Sequence, residues 1–497
     1  VEAQVVRSRP LPASDALPPL VVDLDGTLVT VDLLQESLLR VATTKPWLLL
    51  QVFGWLRHGK AAFKQAVAEQ VAIDPAHLPY SEAFLAWLWE QKKRGRELWL
   101  VTGSDRRVAE AVADHLGLFD QVLASDGRVN LTGERKAQVL AERFAERGFV
   151  YAGNSWVDIA VWAKAKGAVV VNASPRVRLA AAQTTAVERE FPARSPLRAW
   201  LRAIRPHQWA KNLLLFVPLI TAHRFFELPL LLTVSLMFLA FSLCASSVYL
   251  LNDLLDLDAD RRHPAKKHRP FAAGDLSVPA GLLGTIALLV AAFTVAAVLG
   301  GWAVAGLGGY YALTVAYSWW LKRVVLVDVI ALAVLYITRV IVGGMVVSIP
   351  ISQWLLGFAG FVFLSLAFTK RYTELRRATE RGVEKAHGRG YLTADLPIIG
   401  MCGIAAGFAA VLVLTLYVNS EAVLKLYSSP LLLWLWVPII LYWLCRVWLI
   451  AHRGELHDDP VVFAARDFTT YALAVVVVIV LIVAAWLPPT AFPPVIR

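Results

Sequence analysis

From residue 211 to residue 488 the chain passes through one apolar stretch after another, each near the ~20 residues a helix needs to cross a bilayer. Residues 1–195 contain none that long. That contrast excludes a wholly soluble fold. With 57% hydrophobic and 18% charged residues, against about 45–50% and about 25% in soluble domains, global disorder is excluded as well. Residues 1–195 alternate apolar strands with amphipathic helices. The expected fold is therefore an α/β soluble domain, with a helical cap over about 30–95, followed by an all-α polytopic membrane domain over 211–497. Between them, 196–210 belongs to a Pro-rich and basic stretch read as a linker and interfacial segment.

The net charge is +11, which fits nucleic acid, anionic lipid or phosphorylated substrates. The hydropathy favours the last two, so no nucleic acid is expected. Eighteen Trp suit the aromatic belts of a membrane protein. Cys244, Cys402 and Cys445 lie in apolar runs without metal-ligand spacing and read as small buried hydrophobes. Residues 1–20 lack the long apolar core of a secretory signal.

The apolar runs predict nine membrane helices, at roughly 211–227, 229–251, 277–299, 301–319, 324–345, 351–370, 396–418, 429–449 and 469–488. Loops after the second, fourth, sixth and eighth carry the Lys and Arg clusters, from Arg261 to Arg466. The alternate loops offer only Arg224 and Lys425. The positive-inside rule then places the N-terminal domain and the basic loops in the cytosol, the C-terminus outside, and the protein in the plasma (inner) membrane.

In the first domain, LPPLVVDLDGTLVT reads as a strand ending in Asp23 and Asp25, with Gly26 at a sharp turn. A second strand ends in Thr102, Gly103 and Ser104 ahead of a helix, whose N-terminal amides suit a phosphate. Lys136 follows in GERKAQVL, and a last strand ends at Asn154 and Asp158. Polar residues at successive strand ends describe a parallel sheet with its site along that edge.

These four motifs in this order resemble the haloacid dehalogenase-like (HAD) superfamily. The resemblance implies that Asp23 is a nucleophile forming an aspartyl phosphate and Asp25 the general acid/base. Thr102 would hold the phosphoryl group and Lys136 offset its charge. Mg²⁺ would sit on Asp23, the Asp25 carbonyl, Asn154 and Asp158. The family commonly has Asp where this chain has Asn154, which ligates through oxygen but adds no charge.

In the membrane domain, Tyr249 opens the stretch YLLNDLLDLDADRRHPAKKHRP, which begins inside an apolar run and ends in a basic loop. Asn252, Asp256 and Asp260 fall at i, i+4 and i+8, so an unbroken helix sets them on one face, with Asp253 and Asp258 off it. Acids inside a membrane are costly and mark function, and hard oxygens on one face suit Mg²⁺ bridging to phosphates. His263, Lys266 and Arg269 follow as candidate phosphate contacts. Arg339, within the fifth span, reads equally as a packing or a site-facing residue.

The N-D-x-x-D-x-x-x-D pattern resembles the first aspartate motif of the UbiA superfamily of intramembrane prenyltransferases. Where aromatic-prenylating members carry a second D-x-x-x-D, this chain has YSWWLKRVVLVD, with Tyr317, Lys322 and Asp328. RPHQWAKN at 205–212, the acidic motif, YSWWLKRVVLVD, FTKRYTEL at 368–375 and ARDFTTY at 465–471 resemble the decaprenyl-phosphate phosphoribosyltransferase branch. That branch transfers 5-phosphoribose from phosphoribosyl pyrophosphate (PRPP) to a polyprenyl phosphate, for arabinan precursors of some bacterial cell walls. The resemblance implies Mg²⁺ on Asn252, Asp256 and Asp260, holding the pyrophosphate. Lys266, Arg269, Lys322, Lys370 and Arg371 become candidates for the donor's phosphates, and Lys211 for either the lipid phosphate or the donor. The HAD-like domain would remove the 5-phosphate from the product. Aromatic prenyl transfer from a prenyl diphosphate, and a transporter or regulatory protein with a sensing HAD-like domain, are the competing readings. A homo-oligomer is compatible with either enzyme.

Overall fold

The computed structural model describes residues 17–384, 389–421, 423, 427–456, 459–464 and 466–487. Lys425, Ala465 and the C-terminus lie outside them. The chain forms two compact units, Val1–Ala203 with Leu250–Leu283, and Ile204–Tyr249 with Gly284–Arg497.

The first unit is built on six parallel strands in the order β3-β2-β1-β4-β5-β6. They are β1 (Leu20–Val22), β2 (Leu98–Asp105), β3 (Gln121–Ser125), β4 (Val150–Gly153), β5 (Gly167–Val171) and β6 (Ala186–Phe191). The central strands read as continuous apolar runs because both faces are covered. Leu20, Val22, Leu100, Val150 and Ala152 pack on one side, and Val21, Trp99, Val101 and Tyr151 on the other. β6, with its AVEREF sequence, is largely exposed, and charges there blunt a sheet edge. The order reverses at β1, between β2 and β4, where such sheets open a crevice at their carboxyl ends. Helices Leu33–Thr44, Leu49–Arg57, Lys60–Gln70 and Glu82–Lys93 fill the expected cap region. The first starts where it does because the Asp32 side chain accepts from the Leu34 and Gln35 amides.

Seven helices among the described residues are long and apolar enough to cross a membrane: Leu228–Leu255, Val278–Leu299, Val327–Val346, Gln353–Glu380, Thr393–Val418, Pro430–Arg453 and Phe468–Trp486. Two of the nine expected spans are not matched by helices of this length and apolarity. The first expected span, 211–227, instead divides between the end of a 3₁₀ segment, Pro206–Phe216, and the short helix Val217–Thr221, because Pro218 lacks the backbone donor an unbroken helix needs there. The expected span at 301–319 is a helix, Gly301–Trp319, but its four glycines, three tyrosines and two tryptophans dilute its apolarity.

Within the second unit, Leu215, Met237, Phe241, Leu307 and Val342 share one core. Gly343 permits close approach there: a Cβ on it would lie 2.1 Å from the Leu215 carbonyl oxygen. All three cysteines are free; Cys244 is buried as expected, but Cys445 is exposed.

Candidate functional sites

At the carboxyl end of β1, Asp23 is 9% exposed. Its Oδ1 accepts from Lys136 Nζ at 2.8 Å. The same ammonium reaches the Tyr151 hydroxyl at 2.9 Å, and that hydroxyl donates to Asp158 Oδ1 at 2.8 Å. Burial pushes the Asp23 carboxyl up to about 7, against the pull of Lys136. Asp25 is also raised by burial. Its Oδ1 accepts from the Leu33 amide at 2.9 Å and its Oδ2 from the Ser104 hydroxyl at 2.5 Å. The two acids thus differ in setting: one is held by a cation, the other by neutral donors.

Asp158 closes the far side. Its Oδ2 accepts from the Asn154 and Ser155 amides and the Ser155 hydroxyl, which fixes the loop carrying Asn154. Asp23, Asp25, Lys136, Asn154 and Asp158 line one cavity of about 420 Å³. Thr102 is fully buried, its hydroxyl accepting from the Ser104 amide at 3.0 Å; its neighbour Gly103 lines the cavity. Lys64, which the sequence reading did not single out, enters from cap helix Lys60–Gln70 and donates to the Gly103 carbonyl at 2.6 Å. Its only sequence signal is a lysine in an otherwise weakly charged cap segment.

The acidic motif of this unit departs from one unbroken helix. Helix Leu228–Leu255 ends just before Asp256, which caps a short helix, Leu257–Arg262. The backbone bonds from Asp256 N to Asn252 O and from Asp260 N to Asp256 O persist. Asp256 is exposed and Asn252 half-buried. Asp260 and Asp253 are buried and share Arg269, at 2.6 and 3.2 Å. Asp253, which the i, i+4 pattern set aside, therefore belongs with Asp260: two turns separate them, so they share a face. Burial raises the Asp260 carboxyl while Arg269 lowers it. Lys266 Nζ stands 3.9 Å from Asp260, and His263 Nδ1 accepts from the Ala265 and Lys266 amides.

Among the described residues no group of three or more His, Cys, Asp or Glu side chains is gathered tightly enough to hold a metal. The donor chemistry nevertheless fits a hard cation at both places. Lys136 engages only Oδ1 of Asp23, in a cavity that Asn154 and Asp158 also line, and the acidic motif offers oxygen donors.

The second unit holds two further polar clusters. Lys211 and Lys370 both donate to Asp459 Oδ2, at 3.0 and 2.9 Å. These two cations hold the Asp459 carboxyl well below its ordinary range despite its burial. Lys211 also stands 5.8 Å over the Tyr336 ring. In the other cluster, Asp328 is fully buried and pairs with Arg371 at 2.7 Å. It accepts from the Tyr391 hydroxyl at 2.5 Å, and Arg389 lies 3.5 Å away. Arg389 in turn reaches Tyr317 and Glu374, and Arg371 pairs with Glu374 as well. Of the expected residues, the structure joins Lys211 with Lys370 and joins Tyr317, Asp328 and Arg371. Lys322 sits apart, half-buried in the 3₁₀ turn Leu321–Arg323. Asp459 and Tyr391 carry no motif signal in the sequence beyond an acid in a loop otherwise read as basic for Asp459; Glu374, four residues from Lys370, reads as its surface partner but pairs with Arg371 and Arg389 instead. Arg339 is buried and engaged with Asn212, Tyr310 and the Leu335 carbonyl. An apolar cavity of about 440 Å³, lined by Tyr372, Met401, Phe408, Leu444 and Trp448, lies in the same unit.

Two family models match: the UbiA prenyltransferase family over residues 213–469, and haloacid dehalogenase-like hydrolase over 20–162. The uncharacterized protein y4nM of Sinorhizobium fredii is 38% identical, over 92% of this chain and 89% of its own length. Nodulation protein NoeC of Azorhizobium caulinodans is 35% identical, over 56% of this chain and 91% of its own. Decaprenyl-phosphate phosphoribosyltransferase of Mycobacterium tuberculosis is 37% identical over 37% of this chain; the match spans 62% of that enzyme, less than two thirds. Among solved structures, a UbiA homolog from Archaeoglobus fulgidus bound to GPP and Mg²⁺ is 16% identical with a TM-score of 0.43, covering 57% of this chain and 99% of that one.

Proposed function

Because the chain belongs to the UbiA prenyltransferase family and carries a haloacid dehalogenase-like hydrolase domain, we propose that its membrane part is a phosphoribosyltransferase. It moves 5-phosphoribose from PRPP to a polyprenyl phosphate such as decaprenyl phosphate, releasing pyrophosphate and supplying precursors for cell-wall arabinan. The hydrolase domain then removes the 5-phosphate from the product. The observation that supports transfer most directly is the convergence of Lys211 and Lys370 on one Asp459 oxygen. Two lysines aimed at one anion make a place for a phosphate group.

PRPP bears phosphate at both ends of the ribose and needs cations at two places. Arg269 and Lys266 serve the pyrophosphate, and Lys211, Lys370, Lys322 and Arg371 are the candidates for the remaining phosphates. The C1–pyrophosphate bond breaks as the acceptor phosphate oxygen bonds C1, through an oxocarbenium-like state. The acceptor is already an anion, so no general base is required. In the hydrolase, Asp23 attacks phosphorus and Asp25 gives its proton to the departing ribose oxygen. Water then cleaves the aspartyl phosphate with Asp25 as base. Lys136 holds Asp23 in line, and Lys64 adds a second cation at the cavity. Mg²⁺ would be held by Asp23, the Asp25 carbonyl, Asn154 and Asp158, and separately by Asn252, Asp256 and Asp260, and at each place it would supply charge that offsets the phosphate's. The apolar cavity suits an isoprenoid chain. The basic loops and the hydrolase domain are assigned to the cytosolic side of the plasma membrane.

The test offers detergent-purified protein labelled PRPP with polyprenyl phosphate and, in parallel, labelled prenyl diphosphate with an aromatic acid. Label entering lipid from PRPP is the expected result. Label joining the aromatic acid instead overturns the reading. Asp23→Asn should abolish phosphate release from the product and leave transfer intact.

A further inference from the structure

The hydrolase cavity is not walled by the hydrolase sequence alone. Gly274 and Ser277, from the stretch that follows the acidic motif, line it together with Asp23, Asp25 and Lys136. That stretch is locked in place within its unit. The Thr30 hydroxyl donates to the Ala273 carbonyl at 3.0 Å. Arg261, buried, is held by both carboxylate oxygens of Glu36 and donates through Nε to the Ala272 carbonyl at 3.1 Å. Arg194 reaches the buried Asp275 carboxylate at 3.0 Å. Gly274 has φ +73°, and a Cβ on it would lie 2.0 Å from Thr30 Oγ1, so the bare Gly274 backbone packs directly on the Thr30 side chain at the cavity edge.

Ser277 is followed directly by Val278, the first residue of a 22-residue helix long and apolar enough to cross a membrane. One residue spans at most ~3.6 Å of chain. The wall of the cavity is thus covalently tied to the first residue of that candidate membrane span.

We propose that Gly274 and Ser277 are specificity-determining residues of the hydrolase site, which takes a phosphate monoester on a membrane-tethered headgroup in preference to the same monoester free in solution. The proposal rests on the phosphatase reading above and narrows its substrate class. The scissile phosphate enters between Lys136 and Lys64, while the tether leaves past Ser277 toward that span.

The test uses the full chain in detergent micelles with two substrates prepared separately: ribose 5-phosphate, and 5-phosphoribosyl-1-phosphopolyprenol. The reading is the ratio of their kcat/KM values for phosphate release. The wild-type ratio should favour the tethered substrate at least tenfold, and Ser277→Trp, placing a bulky ring on the wall, should reduce that ratio at least tenfold. A wild-type ratio near one overturns the proposal and is independent of how any variant folds. A high ratio unchanged in Ser277→Trp overturns the role of the wall and leaves mere co-partitioning into micelles. In either case, hydrolysis that Asp23→Asn abolishes leaves the phosphatase reading standing. Release of phosphate from neither substrate overturns both.

Discussion

Replacing Glu36 with Gln keeps its shape and removes its charge. The Glu36 and Arg261 side chains are 4% and 3% exposed, and the carboxylate receives both terminal nitrogens of the guanidinium, at 2.7 and 2.5 Å. Deleting one partner of such a pair leaves the other buried and uncompensated, which costs about 3–5 kcal/mol. Arg261 keeps its bond to the Ala272 carbonyl, so the lower end, about 3 kcal/mol, is expected. At about 1.4 kcal/mol per decade, that raises the opening equilibrium of helix Leu33–Thr44 and of the segment from Leu257 to Gly274 by roughly a hundredfold. Hydrogen exchange on the detergent-purified full chain reads this directly as faster exchange in peptides from both segments. A double variant, Glu36→Leu with Arg261→Met, should recover most of the protection, because two apolar side chains of similar volume leave no charge stranded. Acceleration under about fivefold in Glu36→Gln, or a double variant as labile as the single, would refute the assignment of the pair as the lock.

Three further outcomes are expected. Because Asp23 is raised to about 7 by burial, its native carboxyl holds a proton that the unfolded one has released, so its contribution to stability falls as pH rises from about 4 toward 7. The nucleophile must be ionised, so phosphate release should rise with pH, with a midpoint near 7 at limiting Mg²⁺ that moves lower as Mg²⁺ is added; a midpoint below about 5 at both concentrations contradicts this. Gly274→Ala should cost about 2–3 kcal/mol, from left-handed backbone strain plus the clash with Thr30, and Thr30→Ala should restore part of it, read by exchange at the segment around Gly274. The Asp459 carboxyl, held low, keeps its stabilising charge through mild acid and loses it only as pH falls through its depressed value. Asp459→Asn should therefore lower the thermal midpoint at neutral pH, and pyrophosphate should raise the midpoint of this variant more than that of the parent; equal shifts argue against an anion site there.

Much of the first domain was legible because its chemistry is local. Asp23, Asp25 and Lys136 sit at strand ends or helix starts whose apolar neighbours announce them, and they converge as the motif order implies. Lys64 was not legible, because its position depends on how a cap helix folds back over β2, a contact between residues 39 apart. The acidic motif was read as one helical face, but a single break at Asp256 changes which acids share a partner, and Arg269 selects Asp253 with Asp260. The span count and the structure part where hydropathy and backbone chemistry disagree: residues 211–227 are apolar enough for a helix, yet Pro218 within them keeps them from forming one unbroken helix. Asp459 was hidden for the opposite reason. Its significance lies in Lys211 and Lys370, 248 and 89 residues away, and nothing near it in sequence points to either.

Lys370 and Arg371 are consecutive on helix Gln353–Glu380, yet one is committed to Asp459 and the other to Asp328. Neighbouring residues on a helix project about 100° apart. The two ion clusters therefore grip this helix like pins driven from different sides, and it has no freedom to spin about its own axis while both hold. A ligand that draws Lys370 away from Asp459 withdraws one pin. The Arg371–Asp328 pair, buried at both ends, still holds the other side.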